Sequence, residues 1–157
     1  MTDHVLATCL FLDAHAEDAA ELYVSLIPRS RITNRVIMDP NEPPLLVELE
    51  LGGVPYVLMN GNPDYQPNHY ASLQVYTDDQ AQTDALWSRL LEGGEAGRCG
   101  WLTDRFGVAW QIVPRRLTEL MNTRDAERAA RVQAALMPMS KIDIAVLEAA
   151  AAEPATG

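Results

Sequence analysis

The chain carries the same pattern twice, and this repeat limits its folds more than any other feature. Thr8-Cys9-Leu10-Phe11-Leu12 leads into a helical stretch that reaches Tyr23. Ser72-Leu73-Gln74-Val75-Tyr76 leads into another that reaches Trp87, and both correspondences lie 64 residues apart. Later in each half a glycine opens a short apolar run, Gly53-Val54-Pro55-Tyr56-Val57 and then Gly107-Val108-Ala109-Trp110-Gln111. That pair is 54 residues apart, and the second half lacks a counterpart to the turn at Asp39–Pro44. Turns tolerate such deletions. Neither copy can bury a hydrophobic face alone, so the two are expected to pair into one core.

Apolar and polar spacing gives the element order. Val5–Leu12 reads as a strand buried on both faces. Ala16–Ile27 has apolar residues at Ala19, Leu22, Tyr23, Leu26 and Ile27, which is helical spacing, and Pro28 stops it. Strands are expected at Arg31–Met38, Leu45–Leu51 and Val54–Met59, the last two joined at Gly52-Gly53. Glu48 and Glu50 fall on one face of their strand and read as a solvated pair. The segment from Asn60 to Asn68 holds Gly61, Pro63 and Pro67 and reads as a linker. The order then repeats: a strand at Tyr70–Tyr76, a helix at Asp78–Leu91, two short strands within Glu95–Asp104 and a third at Val108–Val113. Three helices should follow, Leu117–Met121, Asp125–Met137 and Lys141–Ala152, rich in Ala, Leu, Glu and Arg. The expected divisions are a first module at 1–60, a second at 69–114 and a helical tail at 115–152, all within one compact structural domain.

Composition excludes several roles. The net charge is -10, and Lys141 is the sole lysine of 157 residues. Binding to a nucleic-acid backbone or an anionic membrane surface needs clustered cations, so neither partner is expected. No apolar run approaches the ~20 residues of a membrane helix. The acidic N-terminus does not read as a secretory signal. Cys9 and Cys99 are too few for a disulfide framework, which reads as a cytoplasmic protein with reduced thiols.

Several segments carry a resemblance. They are Cys9-Leu10-Phe11-Leu12-Asp13, the run from Tyr23 to Ile32, the run Cys99-Gly100-Trp101-Leu102-Thr103-Asp104-Arg105-Phe106-Gly107-Val108-Ala109-Trp110-Gln111-Ile112-Val113-Pro114, and Lys141-Ile142-Asp143-Ile144-Ala145. Together they resemble the PhnB-like branch of the vicinal oxygen chelate superfamily, which includes glyoxalase I, extradiol dioxygenases and bleomycin-resistance proteins. Members often carry the name 3-demethylubiquinone-9 3-methyltransferase. The resemblance implies an α+β fold of paired strand-helix-three-strand modules around a curved mixed sheet with a cavity, and homodimers. The methyltransferase name finds no support in the residues. A nucleotide-derived methyl donor needs a glycine-rich turn at a helix start, and Gly52-Gly53 and Gly93-Gly94 lie at hairpins and helix ends.

Metal-dependent relatives take four ligands from the first and fourth strands of each module. Carried across, that pattern falls on Thr8, Val57, Ser72 and Gln111. Val57 has no donor atom, the two hydroxyls are poor neutral ligands, and only Gln111 matches, so neither a metal nor another cofactor is expected. Strand alternation would put Leu10, Leu12, Gln74 and Tyr76 on the cavity face, and Cys9 and Phe11 on the helix side. Trp101 and Tyr65 are candidates to stack on a flat ligand. Cys99, beside Arg98, is a candidate nucleophile with no identifiable His partner.

Two functions follow. The first is metal-free binding of an apolar or aromatic small molecule, with Thr8, Val57, Ser72, Gln74, Trp101 and Gln111 at the site. The alternative is an isomerase, lyase or oxygenase of the same superfamily acting through His69, Tyr76 or Gln111, with His69 and Tyr76 the catalytic candidates. A homodimer is expected. Tail residues Val132, Leu136, Met137, Ile144 and Leu147 form more apolar stripe than a short appendage should hide on its own module.

Overall fold

A computed structural model describes residues 4–61 and 68–152. The chain divides into two units, residues 1–66 and 67–157. In the first, β1 (Thr8–Leu12), α1 (Ala16–Leu26), β2 (Arg31–Val36), β3 (Leu46–Leu51) and β4 (Val54–Asn60) follow in order. They form a four-stranded mixed sheet, β1-β4-β3-β2, in which only β1 and β4 run parallel. The second unit repeats this with β5 (Leu73–Thr77), α2 (Gln80–Leu91), β6 (Glu95–Ala96), β7 (Trp101–Thr103) and β8 (Ala109–Pro114), in the order β5-β8-β7-β6. The fold is thus α+β, with one mixed sheet per repeat.

Each helix covers one face of its sheet. Ala16, Ala19, Ala20, Leu22 and Tyr23 of α1 are buried, as are Val47, Leu49, Leu51 and Leu58 beneath them. Burial along β3 alternates strictly, which leaves Glu48 and Glu50 on the uncovered face as expected. In the second unit Thr83, Trp87 and Leu90 of α2 are buried with Leu102, Trp110 and Ile112. The helix starts are fixed differently. The Asp79 side chain accepts from the Gln82 amide at 2.8 Å and caps α2. His15 makes no side-chain cap, and the Asn60 side chain instead accepts from the Ala16 amide at 2.9 Å.

The repeat is not in constant register. Ala16 and Gln80 begin their helices 64 residues apart. In the sheets, however, Cys9 sits beside Val57 and Gln74 sits beside Gln111, so these strands correspond at an offset of 65. The turn from β1 to α1 holds Asp13, Ala14 and His15, whereas that from β5 to α2 holds only Asp78 and Asp79. One extra residue reverses the faces of a strand. Thr8, Leu10 and Leu12 therefore lie on the helix side with Tyr56 and Leu58, and Cys9 and Phe11 lie on the open face with Val57 and Met59. This corrects the sequence expectation for all five β1 residues. Phe11 is 53% exposed and Cys9 is exposed, not a core thiol. Val5 and Leu6, expected in the strand, precede it and are exposed.

After β8 come α3 (Arg115–Met121), α4 (Ala126–Leu136) and α5 (Ile144–Ala152). Leu120, Val132, Ile142 and Leu147 form a buried cluster that Leu117, Leu136 and Met139 join. The tail thus covers most of its own stripe, with Met137 half exposed, and the expectation of surplus apolar surface is corrected. The segment before α5 docks on the second unit. The amides of Cys99 and Gly100 donate to Met139 and Ser140, each at 2.7 Å. Gln80 Nε2 donates to the Ile142 carbonyl at 3.1 Å, and its Oε1 accepts from the Ile144 amide at 2.8 Å. Lys141 Nζ lies 2.6 Å from Asp84 Oδ1.

That ion pair gives a pH prediction. Hydrogen bonds from Lys141 and then Gln80 hold the Asp84 carboxyl below its ordinary pKa. A depressed carboxylate pKa adds stability above the unfolded value, and this is lost as pH falls through the folded one. The parent should therefore outlast Asp84→Asn in thermal melts at pH 7. The difference should shrink as pH falls below the ordinary carboxylate range and be lost once Asp84 is protonated in the folded state as well. A constant gap across that range would contradict the assignment.

Candidate functional site

The open face of the second sheet gathers the polar residues that alternation predicts there. Gln74, Gln111 and Trp101 share one rung across β5, β8 and β7. Trp110 and Ile112 point the other way and are buried. Gln111 Nε2 donates to Ser72 Oγ at 2.8 Å, and Gln74 Nε2 donates to the Tyr76 hydroxyl at 2.7 Å. These groups answer one another, as polar atoms on a partly covered sheet generally do. The guanidinium of Arg115 lies 5.2 Å from the centroid of the Tyr76 ring and pairs with Asp78 at 3.0 Å.

His69 approaches the far side of the same face. Its Nε2 is 3.1 Å from Thr103 Oγ1, and its ring meets Trp101 edge-on with centroids 5.7 Å apart. Tyr76 lies on β5, with β8 between that strand and β7. His69 and Tyr76 therefore have separate partners and do not form an acid–base pair. Beside His69 opens a cavity of about 510 Å³ whose wall includes Glu95, Gly97, Arg98, Trp101 and Thr103. Gly97 sits close against Trp101. A Cβ there would stand 3.0 Å from both the Cβ and the carbonyl oxygen of Trp101. Tyr65, the other stacking candidate, lies outside the described residues.

A buried carboxylate sets the strand behind this wall. Asp104 is 3% exposed and accepts from the amides of Phe106 and Val108 and from Trp110 Nε1 at 2.9, 3.0 and 2.9 Å. It closes the turn from β7 to β8 and fixes the register that puts Trp101 beside Gln111. The sequence signal was an Asp three residues before a Gly, a common turn pattern. Glu95 and Arg98 were likewise missed as cavity residues.

The superfamily's metal does not fit these residues. Val57 offers no donor, and Thr8 lies on the opposite face from it. Cys9 takes the place beside Val57, but desolvation raises its thiol pKa and disfavours the thiolate that a metal needs. In the second unit the donors are two amides and a hydroxyl, already bonded to neighbours, and none is anionic or an imidazole. Among the described residues no group of three His, Cys, Asp or Glu side chains could hold an ion. Among the described residues Cys99 has no basic partner at its sulfur, which faces the Leu136 and Met137 carbonyls at 3.7 and 4.0 Å.

The family model for 3-demethylubiquinone-9 3-methyltransferase matches residues 4–113. The chain belongs to that family. It lies in the PhnB-like branch of the vicinal oxygen chelate superfamily, and structural comparison agrees. A PhnB protein from Bacillus cereus is 23% identical with a TM-score of 0.66, over 71% of this chain and 99% of that one. A protein from Pseudomonas aeruginosa is 20% identical with a TM-score of 0.59, over 69% and 96%. The fosfomycin resistance protein FosX from Listeria monocytogenes, solved as a mutant with Mn(II) and a dihydroxypropylphosphonic acid, is 11% identical with a TM-score of 0.51, over 72% and 93%. These likenesses establish the fold. No curated protein matches the chain. The family match stops at Val113, so the tail, including Lys141–Ala145, lies beyond it.

Proposed function

We propose that this PhnB-like protein binds a small aromatic or apolar molecule against Trp101, on the open face of the second sheet, without a metal. The cavity beside Trp101 and His69 carries the reading. Its ~510 Å³ falls within the usual range for small-molecule sites. Two ring systems at a T-shaped angle make a corner that receives a flat molecule by face and edge. Thr103 and His69 supply polar atoms at its wall. Gln111 borders Trp101, and a longer ligand would reach it, Ser72 and Gln74 by exchanging their mutual hydrogen bonds. Thr8 and Val57 have no part in this pocket.

A cytoplasmic location fits two free cysteines and the lack, among the described residues, of any helix long and apolar enough to cross a membrane. The homodimer remains part of the proposal, supported now by Phe11, half exposed on the open face of the edge strand β1, rather than by the tail. Catalysis by His69, Tyr76 or Gln111 is the second reading. It would need a reaction run by one of these groups alone, since they are not assembled around a common point.

A fragment screen by ligand-detected NMR tests the proposal. Flat aromatic fragments should bind the parent, and Trp101→Ala should weaken them about 10-fold, the worth of one good ring contact. Added Zn(II) or Mn(II) should leave affinity unchanged. Binding that needs the ion, or that ignores Trp101→Ala, would overturn it.

A further inference from the structure

We infer that the pocket beside Trp101 selects zwitterions, molecules that carry an ammonium and a carboxylate on an aromatic body. This rests on the binding function proposed above and names its ligand class. Two charged side chains of opposite sign line the cavity, Glu95 from β6 and Arg98 from the turn that follows. Neither forms an ion pair with the other or with any other described residue. The backbone explains why both remain available. The Gly97 amide donates to the Trp101 carbonyl at 2.8 Å, and the Trp101 amide donates to the Arg98 carbonyl at 3.0 Å. The hairpin is therefore pinned to the edge of β7, with its two charges at separate points of the rim.

Register places Glu95 beside Thr103, on the face that His69 covers. Three residues separate the two charged positions along the chain, so their Cα atoms lie at most about 10 Å apart. Their side chains can close on the head of one amino acid while Trp101 receives its ring. A ligand with only one charge would satisfy one side chain and leave the other solvated. An uncharged ligand would gain the ring contact alone. Charge-assisted hydrogen bonds at such a rim are modest and fall with salt.

The test compares indole, tryptamine, indole-3-propionate and L-tryptophan by ligand-detected NMR titration of the full chain at low ionic strength. L-Tryptophan should bind about 10-fold tighter than indole, with each singly charged compound between them. Glu95→Gln should remove the advantage of tryptamine over indole, and Arg98→Gln that of indole-3-propionate over indole, each compared within the same variant. Both side chains are exposed, so these substitutions should leave the fold intact. If indole binds as tightly as L-tryptophan, or if the variants keep the charge preference, the zwitterion assignment falls and the aromatic pocket stands. If none of the four binds, the assignment falls, and the fragment screen then decides the pocket separately.

Discussion

Asp104→Ala should cost the protein at least 3 kcal/mol of stability, because a buried carboxylate with three donors is removed at once. Hydrogen bonds to a charged group contribute about 1.5–3 kcal/mol each, and donors that stay buried without a partner add a penalty. The Val108 amide would be left so, since Val108 is 9% exposed, and the bond from Trp110 Nε1 would be lost as well. The three bonds act as one unit, so the total should fall below their sum. Urea denaturation followed by tryptophan fluorescence measures it. Asp104→Asn keeps an acceptor oxygen and should lose less than Asp104→Ala. A loss under ~1 kcal/mol for Asp104→Ala would mean that the turn is held by other means.

The second large effect is expected at the tail. Ile142 is 1% exposed and belongs to the cluster of Leu120, Val132 and Leu147. It also fills the space over Gly100, where a Cβ would stand 2.9 Å from Ile142 Cδ1 and 2.6 Å from the Ile112 carbonyl oxygen. Gly100 has φ of +84°, a conformation that costs other residues energy as well. Ile142→Ala should destabilise by about 2–4 kcal/mol through lost burial and a cavity. Gly100→Ala should act comparably through overpacking and backbone strain. Each variant is read by denaturation and by protease cleavage between residues 136 and 144, which should speed up as the docked segment lifts. Intact resistance to cleavage in both variants would show that the segment does not depend on this contact.

The repeat itself was legible because its anchors are large and buried. Tyr23 and Trp87 match at one offset and are 0% and 7% exposed, as the helix cores require. Glu48 and Glu50 marked the open face of β3 correctly because charges alternate with Val47, Leu49 and Leu51. β1 offered no such mark. Cys9-Leu10-Phe11-Leu12 is apolar at every position, so only the turn length sets its parity. The additional residue between β1 and α1 changes that parity without changing the pattern. Thr8 was therefore assigned to the wrong face, while Gln74 and Gln111, polar residues amid apolar neighbours, were assigned to the right one. The tail misled for a related reason. α5 is apolar on most sides, and sequence does not reveal whether neighbouring helices or another surface covers it. Glu95 and Arg98 escaped notice because a charged residue in a glycine-rich hairpin looks like any solvated loop position.

The central claim is that ligand meets this chain at Trp101, and the ring N–H signals in a ¹⁵N–¹H spectrum test it directly. The three tryptophans differ in setting: Trp87 is on the buried face of α2, Trp110 Nε1 donates to Asp104, and Trp101 is half-buried at the cavity wall. On titration with an aromatic fragment, the Trp101 signal should move together with the amides of residues 95–103, while those of Trp87 and Trp110 stay in place. Movement of Trp87 or Trp110 with Trp101 unchanged, or shifts confined to the first unit around Phe11 and Val57, would contradict the account.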